Sequence, residues 1–152
     1  MPSTAKEFFT LMVEPTVTEF IQYPHDIRRA LLAAMVLNHM ADHVALEGIT
    51  STDRHAMNCQ VKKIRESMLA TCPEFQLIQD IADATKHAKL SKTTREVSSS
   101  NQISATPGLF HAPFGEAVFQ QAVVVFATLK NGSSKPLLPA IEAVLQAWRS
   151  ML

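Results

Sequence analysis

The chain has 152 residues, 47% of them hydrophobic and 18% charged, with Lys+Arg 14 against Asp+Glu 14. That length suits one domain, residues 1–152, able to bury roughly two thirds of the surface its unfolded form exposes. Zero formal net charge excludes a protein drawn to nucleic acid or an anionic membrane by its overall field, so any basic surface must be a local patch. The longest apolar run, residues 30–37, falls well short of the ~20 residues of a membrane span. Residues 1–7 carry no basic segment followed by an apolar stretch, and a cytoplasmic protein is expected.

The first apolar pattern, Phe8, Phe9, Leu11, Met12, Val17, Phe20 and Ile21, has helical spacing interrupted by Pro15, which predicts a broken or kinked helix. Pro24 and Asp26 mark the start of a second helix that Gly48 ends near Glu47. On a helical wheel its arc of Ala33, Ala34, Leu37, Met40, Ala41 and Val44 is wholly apolar. The opposite arc mixes Leu31, Leu32, Met35, Val36 and Leu46 with Arg28, Asn38, His39, Asp42 and His43. A helix apolar nearly all round belongs at the centre of its domain, with its polar residues partly buried.

Residues 50–53 supply helix-starting side chains for a third helix, on which Met57, Val61, Ile64 and Met68 recur at helical spacing. Pro73 ends it, and Thr71 with Glu74 resembles a capping box for a fourth helix reaching about Leu90. There Leu77, Ile81, Ala84 and Ala88 form the core face, and Gln76, Asp80, Asp83 and His87 stand opposite.

Residues 91–115 turn to Ser, Thr, Pro and Gly and read as a long loop with room for short strands, anchored by Val97, Ile103, Leu109 and Phe110. The β-branched run of residues 122–129, followed by Asn131-Gly132, predicts a hairpin over about 118–136; a helix over 116–130 capped by Gly132 is the alternative. Leu138, Ile141, Val144, Leu145 and Trp148 make a final helix. The fold class is therefore mainly α: an up-and-down bundle of four to five helices with a small β-hairpin before the C-terminal helix.

Two polar stretches carry the candidate chemistry. His39 and His43 lie at i and i+4, as do Asp83 and His87, a spacing that puts each pair on one helix face. Two such helices side by side would offer His39, His43, Asp83 and His87 to a divalent metal such as zinc, with Asp42 and Asp80 orienting the imidazoles. The plain alternative is that these groups cap helices, meet solvent or satisfy buried hydrogen bonds. Lys86, His87, Lys89, Lys92 and Arg95 place five cationic or titratable groups within ten residues, a candidate phosphate-binding patch that equally suits a helix C-terminus. Cys59 and Cys72 have no paired metal or redox spacing and no obvious base beside them; His111 sits alone in the long loop.

The run Asp83-Ala84-Thr85-Lys86-His87, late in an amphipathic helix, resembles the helix-borne polar motifs of the HEPN-like superfamily of helical domains. The resemblance covers the second to fourth helices and implies an up-and-down bundle, often dimeric, with RNA-related or nucleotide-related roles. It also departs from that pattern: no arginine precedes His39, His43 or His87 by the four to six residues typical of its ribonucleases. Three readings follow: a binding module contacting RNA or a nucleotide phosphate, a metal-dependent hydrolase, and a non-catalytic interaction domain. A homodimer is expected in each.

Overall fold

The computed structural model describes residues 2–87, 90, 91, 95–106 and 124–152. Among these are five helices and a three-stranded antiparallel sheet that precedes the last helix, the mainly α architecture that the hydrophobic pattern predicts.

Helix α1 runs without a break through Ala5–Phe8, a π-helical turn Phe9–Val13 and Glu14–Gln22. The interruption expected at Pro15 is thus a widened turn just before it. Pro15 has no N–H to return to Leu11, and the Glu14 N–H reaches back five residues to the Phe9 carbonyl, re-phasing the ladder ahead of the ring. Thr4 caps the start by accepting from the Glu7 N–H.

Helix α2 spans Ile27–Leu46, with Asp26 as its N-cap accepting from the Arg29 N–H and Gly48 at φ 71° just beyond its end. It lies centrally, packed against α1, α3, α4 and α5. Ala30, Ala33, Ala34 and Ala41 are fully buried and let neighbouring helices approach closely, while Leu37 and Met40 fill the space between.

Helix α3 (Arg54–Thr71) starts at Asp53, whose carboxylate accepts from the His55 and Ala56 N–H groups. Helix α4 is Phe75–His87. The capping box expected from Thr71 and Glu74 does not form. Thr71 is still helical and its hydroxyl donates back to the Ser67 carbonyl, and Glu74 accepts from the Cys72 thiol instead.

Strands β1 (Ile103–Ala105), β2 (Val125–Thr128) and β3 (Ser134–Pro136) pair in that order, with Ile103 opposite Ala127 and Ala127 opposite Lys135. The predicted hairpin is β2–β3. The helical alternative fails over Val125–Thr128, where alternate residues Val125 and Ala127 are buried and the ladder is continuous; residues 107–123 lie outside the described residues. Gly132 adopts φ 83° in the turn, and the Ser133 N–H donates to the Asn131 side chain. A bond from the Val125 N–H to the Pro24 carbonyl fixes the sheet to the α1–α2 connection.

Helix α5 (Leu137–Met151) closes the core. Trp148 is fully buried, meets Phe75 edge-on at 5.8 Å between ring centroids, and donates from Nε1 to the Leu37 carbonyl at 3.0 Å. One continuous cluster of buried side chains runs from Ala5 to Trp148. Among the described residues no helix is long and apolar enough to cross a membrane.

Candidate functional site

Helix α4 presents Gln76, Asp80 and Asp83 along one side, as the wheel predicts, but that side is covered. Asp80 is 0% exposed. Its Oδ1 accepts from Gln76 Nε2 at 2.8 Å and from an Arg95 terminal nitrogen at 2.8 Å; its Oδ2 accepts from the Glu96 N–H at 2.7 Å and the Val97 N–H at 3.4 Å. The other terminal nitrogen of Arg95 reaches Asp83 at 2.7 Å. Arg95 is 14% exposed; burial opposes its charge, but the hydrogen bonds to Asp80 and Asp83 outweigh that and raise its pKa above the ordinary arginine value.

This node explains a polar stripe on a well-packed helix. Asp80 acts as an interior receptor for the Arg95 side chain and for the Glu96 and Val97 N–H groups, which would otherwise lack these acceptors. The segment continues into further ties. Glu96 accepts from the Lys130 N–H and pairs with Lys135, and Gln102 accepts from the Ser98 and Ser99 N–H groups while donating to the Thr128 carbonyl. Carboxylates on α4 thereby hold the strand region against the bundle.

The second polar stretch faces elsewhere. His43 of α2 stacks on Phe8 of α1, with centroids 3.7 Å apart and planes 13° from parallel. Burial lowers its pKa below the ordinary imidazole value, partly offset by Asp42 and reinforced by His39. Asp42 pairs with Arg65 of α3 at 3.4 Å, Asn38 is buried, and His39 is exposed. The mixed arc of α2 therefore lies between α1 and α3, while the polar side of α4 faces residues 95–97.

The structure accordingly does not gather His39, His43, Asp83 and His87. Among the described residues no three His, Cys, Asp or Glu side chains come close enough to hold a metal ion. Asp80 and Asp42, expected to orient imidazoles, each hold an arginine instead. Of the phosphate candidates, Lys86 and His87 are exposed at the end of α4, Arg95 is engaged by two carboxylates, and Lys89 and Lys92 lie outside the described residues, as does His111.

Sequence reading missed two features. Arg95 stands among nearby cations in the sequence, yet a buried Asp80 needs a partner from somewhere in the chain. Cys59 has a histidine one turn before it, His55, whose Nε2 stands 3.7 Å from Sγ on the exposed side of α3; the i, i+4 spacing was the available signal. Cys72 is buried, and burial together with Glu74 raises its thiol pKa, a setting that disfavours the reactive thiolate. No family model, curated protein or solved structure matches this chain.

Proposed function

We propose that the chain is a non-catalytic helical interaction module that pairs with a second copy of itself through the outer strip of α2. The single observation that carries this reading is the state of Asp80, fully buried and bound by four donors: the polar residue best placed for chemistry on α4 serves to fix the fold.

The outer strip of α2 exposes apolar side chains between polar ones. Leu32 is 39% exposed and Met35 half-buried, flanked by Arg28 and His39 on the same strip. Met12, 44% exposed, lies on α1, which meets α2 through the Phe8–His43 stack and the Glu19–Arg29 ion pair. The strip is also self-complementary. Arg28 and Asp42 stand seven residues either side of Met35, so an antiparallel pair of strips centred there sets each Arg28 opposite the partner's Asp42. Zero net charge adds no general repulsion between copies. Pairing is also what the resemblance to HEPN-like domains implies.

Sedimentation equilibrium tests this directly. The native chain should dimerise in the micromolar range. Arg28→Asp or Asp42→Arg alone should weaken the dimer at least about 10-fold, and the two together should restore it. A native chain that stays monomeric to millimolar concentration, or an Arg28→Asp dimer as tight as the native one, refutes the pairing.

A further inference from the structure

A cysteine and a histidine meet on the outer side of α3. Asp53 caps that helix and accepts from the His55 and Ala56 N–H groups, which fixes the backbone of its first turn. Cys59 follows His55 by four positions, so the two side chains share one helix face, and His55 Nε2 stands 3.7 Å from Cys59 Sγ. Both residues are exposed. The other thiol, Cys72, is buried and donates to Glu74, which leaves Cys59 as the thiol a solute can reach.

The separation of the two donor atoms is itself informative. A tetrahedral zinc ion holds a thiolate sulfur at about 2.3 Å and an imidazole nitrogen at about 2.0–2.1 Å, which sets the two donors about 3.6 Å apart. Donors on opposite sides of a linear ion would stand about 4.3 Å apart, and donors at right angles about 3.1 Å. The observed 3.7 Å therefore matches the tetrahedral bite and neither alternative. Thiolate with imidazole is also a donor set that favours zinc over the oxygen-seeking magnesium and calcium ions.

We propose that Cys59 and His55 form a two-residue chelate for Zn2+. Binding makes one Zn–S and one Zn–N bond and releases the thiol proton to solvent; the imidazole ligates through Nε2 in its neutral form, with its proton on Nδ1. Among the described residues no third His, Cys, Asp or Glu joins the pair, so the remaining positions belong to water or to an incoming ligand. Lys62 and Lys63 lie one turn further on; both are exposed and Lys62 pairs with Glu66 at 3.7 Å, so their repulsion of the ion is the weak one of charges in water. The chelate uses no residue of the α2 strip, and ion binding and pairing are read independently.

The probe is Co2+, which occupies tetrahedral zinc sites and reports a bond to thiolate by a sulfur-to-metal charge-transfer band in the near ultraviolet. Titration of the reduced full chain, kept free of oxygen, should give that band, saturating at one ion per chain with a Kd on the order of 10 micromolar, and Zn2+ should displace it. Cys59→Ser should abolish the band. His55→Gln should keep a thiolate band but weaken Co2+ at least about 10-fold. Both substitutions fall at exposed positions, and an unchanged circular dichroism spectrum and Tm verify that each variant folds. No band with Co2+ up to millimolar order, a band that survives Cys59→Ser, or a His55→Gln chain that binds as tightly as the native one would each overturn the proposal.

Discussion

Replacing Asp80 by Asn tests the buried node most sharply, because the side chain keeps its shape and loses only its charge and one acceptor. Both carboxylate oxygens accept two hydrogen bonds: Gln76 and Arg95 on one, the Glu96 and Val97 N–H groups on the other. An asparagine has a single oxygen, so whichever way the amide turns, its NH2 faces two donors. One orientation abandons a charge-assisted bond from a guanidinium that is 14% exposed; the other leaves two backbone N–H groups without an acceptor. A hydrogen bond to a charged group contributes about 1.5–3 kcal/mol and an unsatisfied buried donor costs about 1–3 kcal/mol. Removing one side of a buried ion pair costs about 3–5 kcal/mol overall. Asp80→Asn should therefore destabilise the fold by about 3 kcal/mol, lowering Tm by roughly 6–12 °C for a chain of this size. Urea denaturation followed by circular dichroism measures the first quantity and a thermal scan the second. Hydrogen exchange at the Glu96 and Val97 amides should accelerate more than at amides of α2. A loss below about 0.5 kcal/mol, with unchanged exchange at those two amides, would refute the assignment of Asp80 as the receptor for residues 95–97.

Three further substitutions probe other contacts. Trp148→Phe removes the Nε1 bond to the Leu37 carbonyl and leaves a void at the meeting of α2 and α5; a loss of about 2–3 kcal/mol in urea denaturation is expected. Gly132→Ala meets no atom within 4 Å of the added Cβ, so its cost is conformational, about 1 kcal/mol from the φ of 83°, and a denaturation midpoint shift of that size checks it. His43 has a folded pKa below its unfolded value, so its neutral form is favoured in the fold. Its contribution is intact above the unfolded value of about 6.5 and is lost as pH falls from there through the lowered folded value. His43→Phe keeps a ring on Phe8 without the titration, and its unfolding free energy should fall less between pH 7.5 and pH 5 than that of the native chain; equal slopes would count against a buried neutral imidazole.

Periodicity carries the helices well because each has an apolar stripe, whether or not its start signal is the one the sequence offers. Asp53 caps α3 within the helix-starting run of residues 50–53, Asp26 serves as the N-cap of α2 so that the helix begins at Ile27 with Pro24 outside its first turn, and Trp148 enters the bundle from a helix whose apolar positions repeat without ambiguity. Local signals failed where two competed for one residue. Thr71 can start a helix or finish one, and its hydroxyl finds the Ser67 carbonyl one turn back before any downstream N–H. Pro15 signals a break, yet a single π turn absorbs it, since a missing N–H at one position can be answered by shifting the ladder at the preceding turn.

The candidate site was legible only as a set of residues, because a wheel shows which side chains share a face and says nothing of what that face meets. Asp80, Asp83 and His87 form one stripe by sequence. In the fold Asp80 and Asp83 share Arg95, twelve or more positions away, while His87 stays at the exposed end. The same limit applies to α2, where His39, Asp42 and His43 look like one cluster. Neighbouring helices divide them: Phe8 takes His43, Arg65 takes Asp42, and His39 is left in water. A four-ligand metal site needs both stripes to converge, but α4 is committed to the strand region by an interior carboxylate, whose burial without its four donors would cost more than the fold could sustain. Desolvation of Asp80 thus orients α4, and that orientation decides which polar residues remain free to bind anything else.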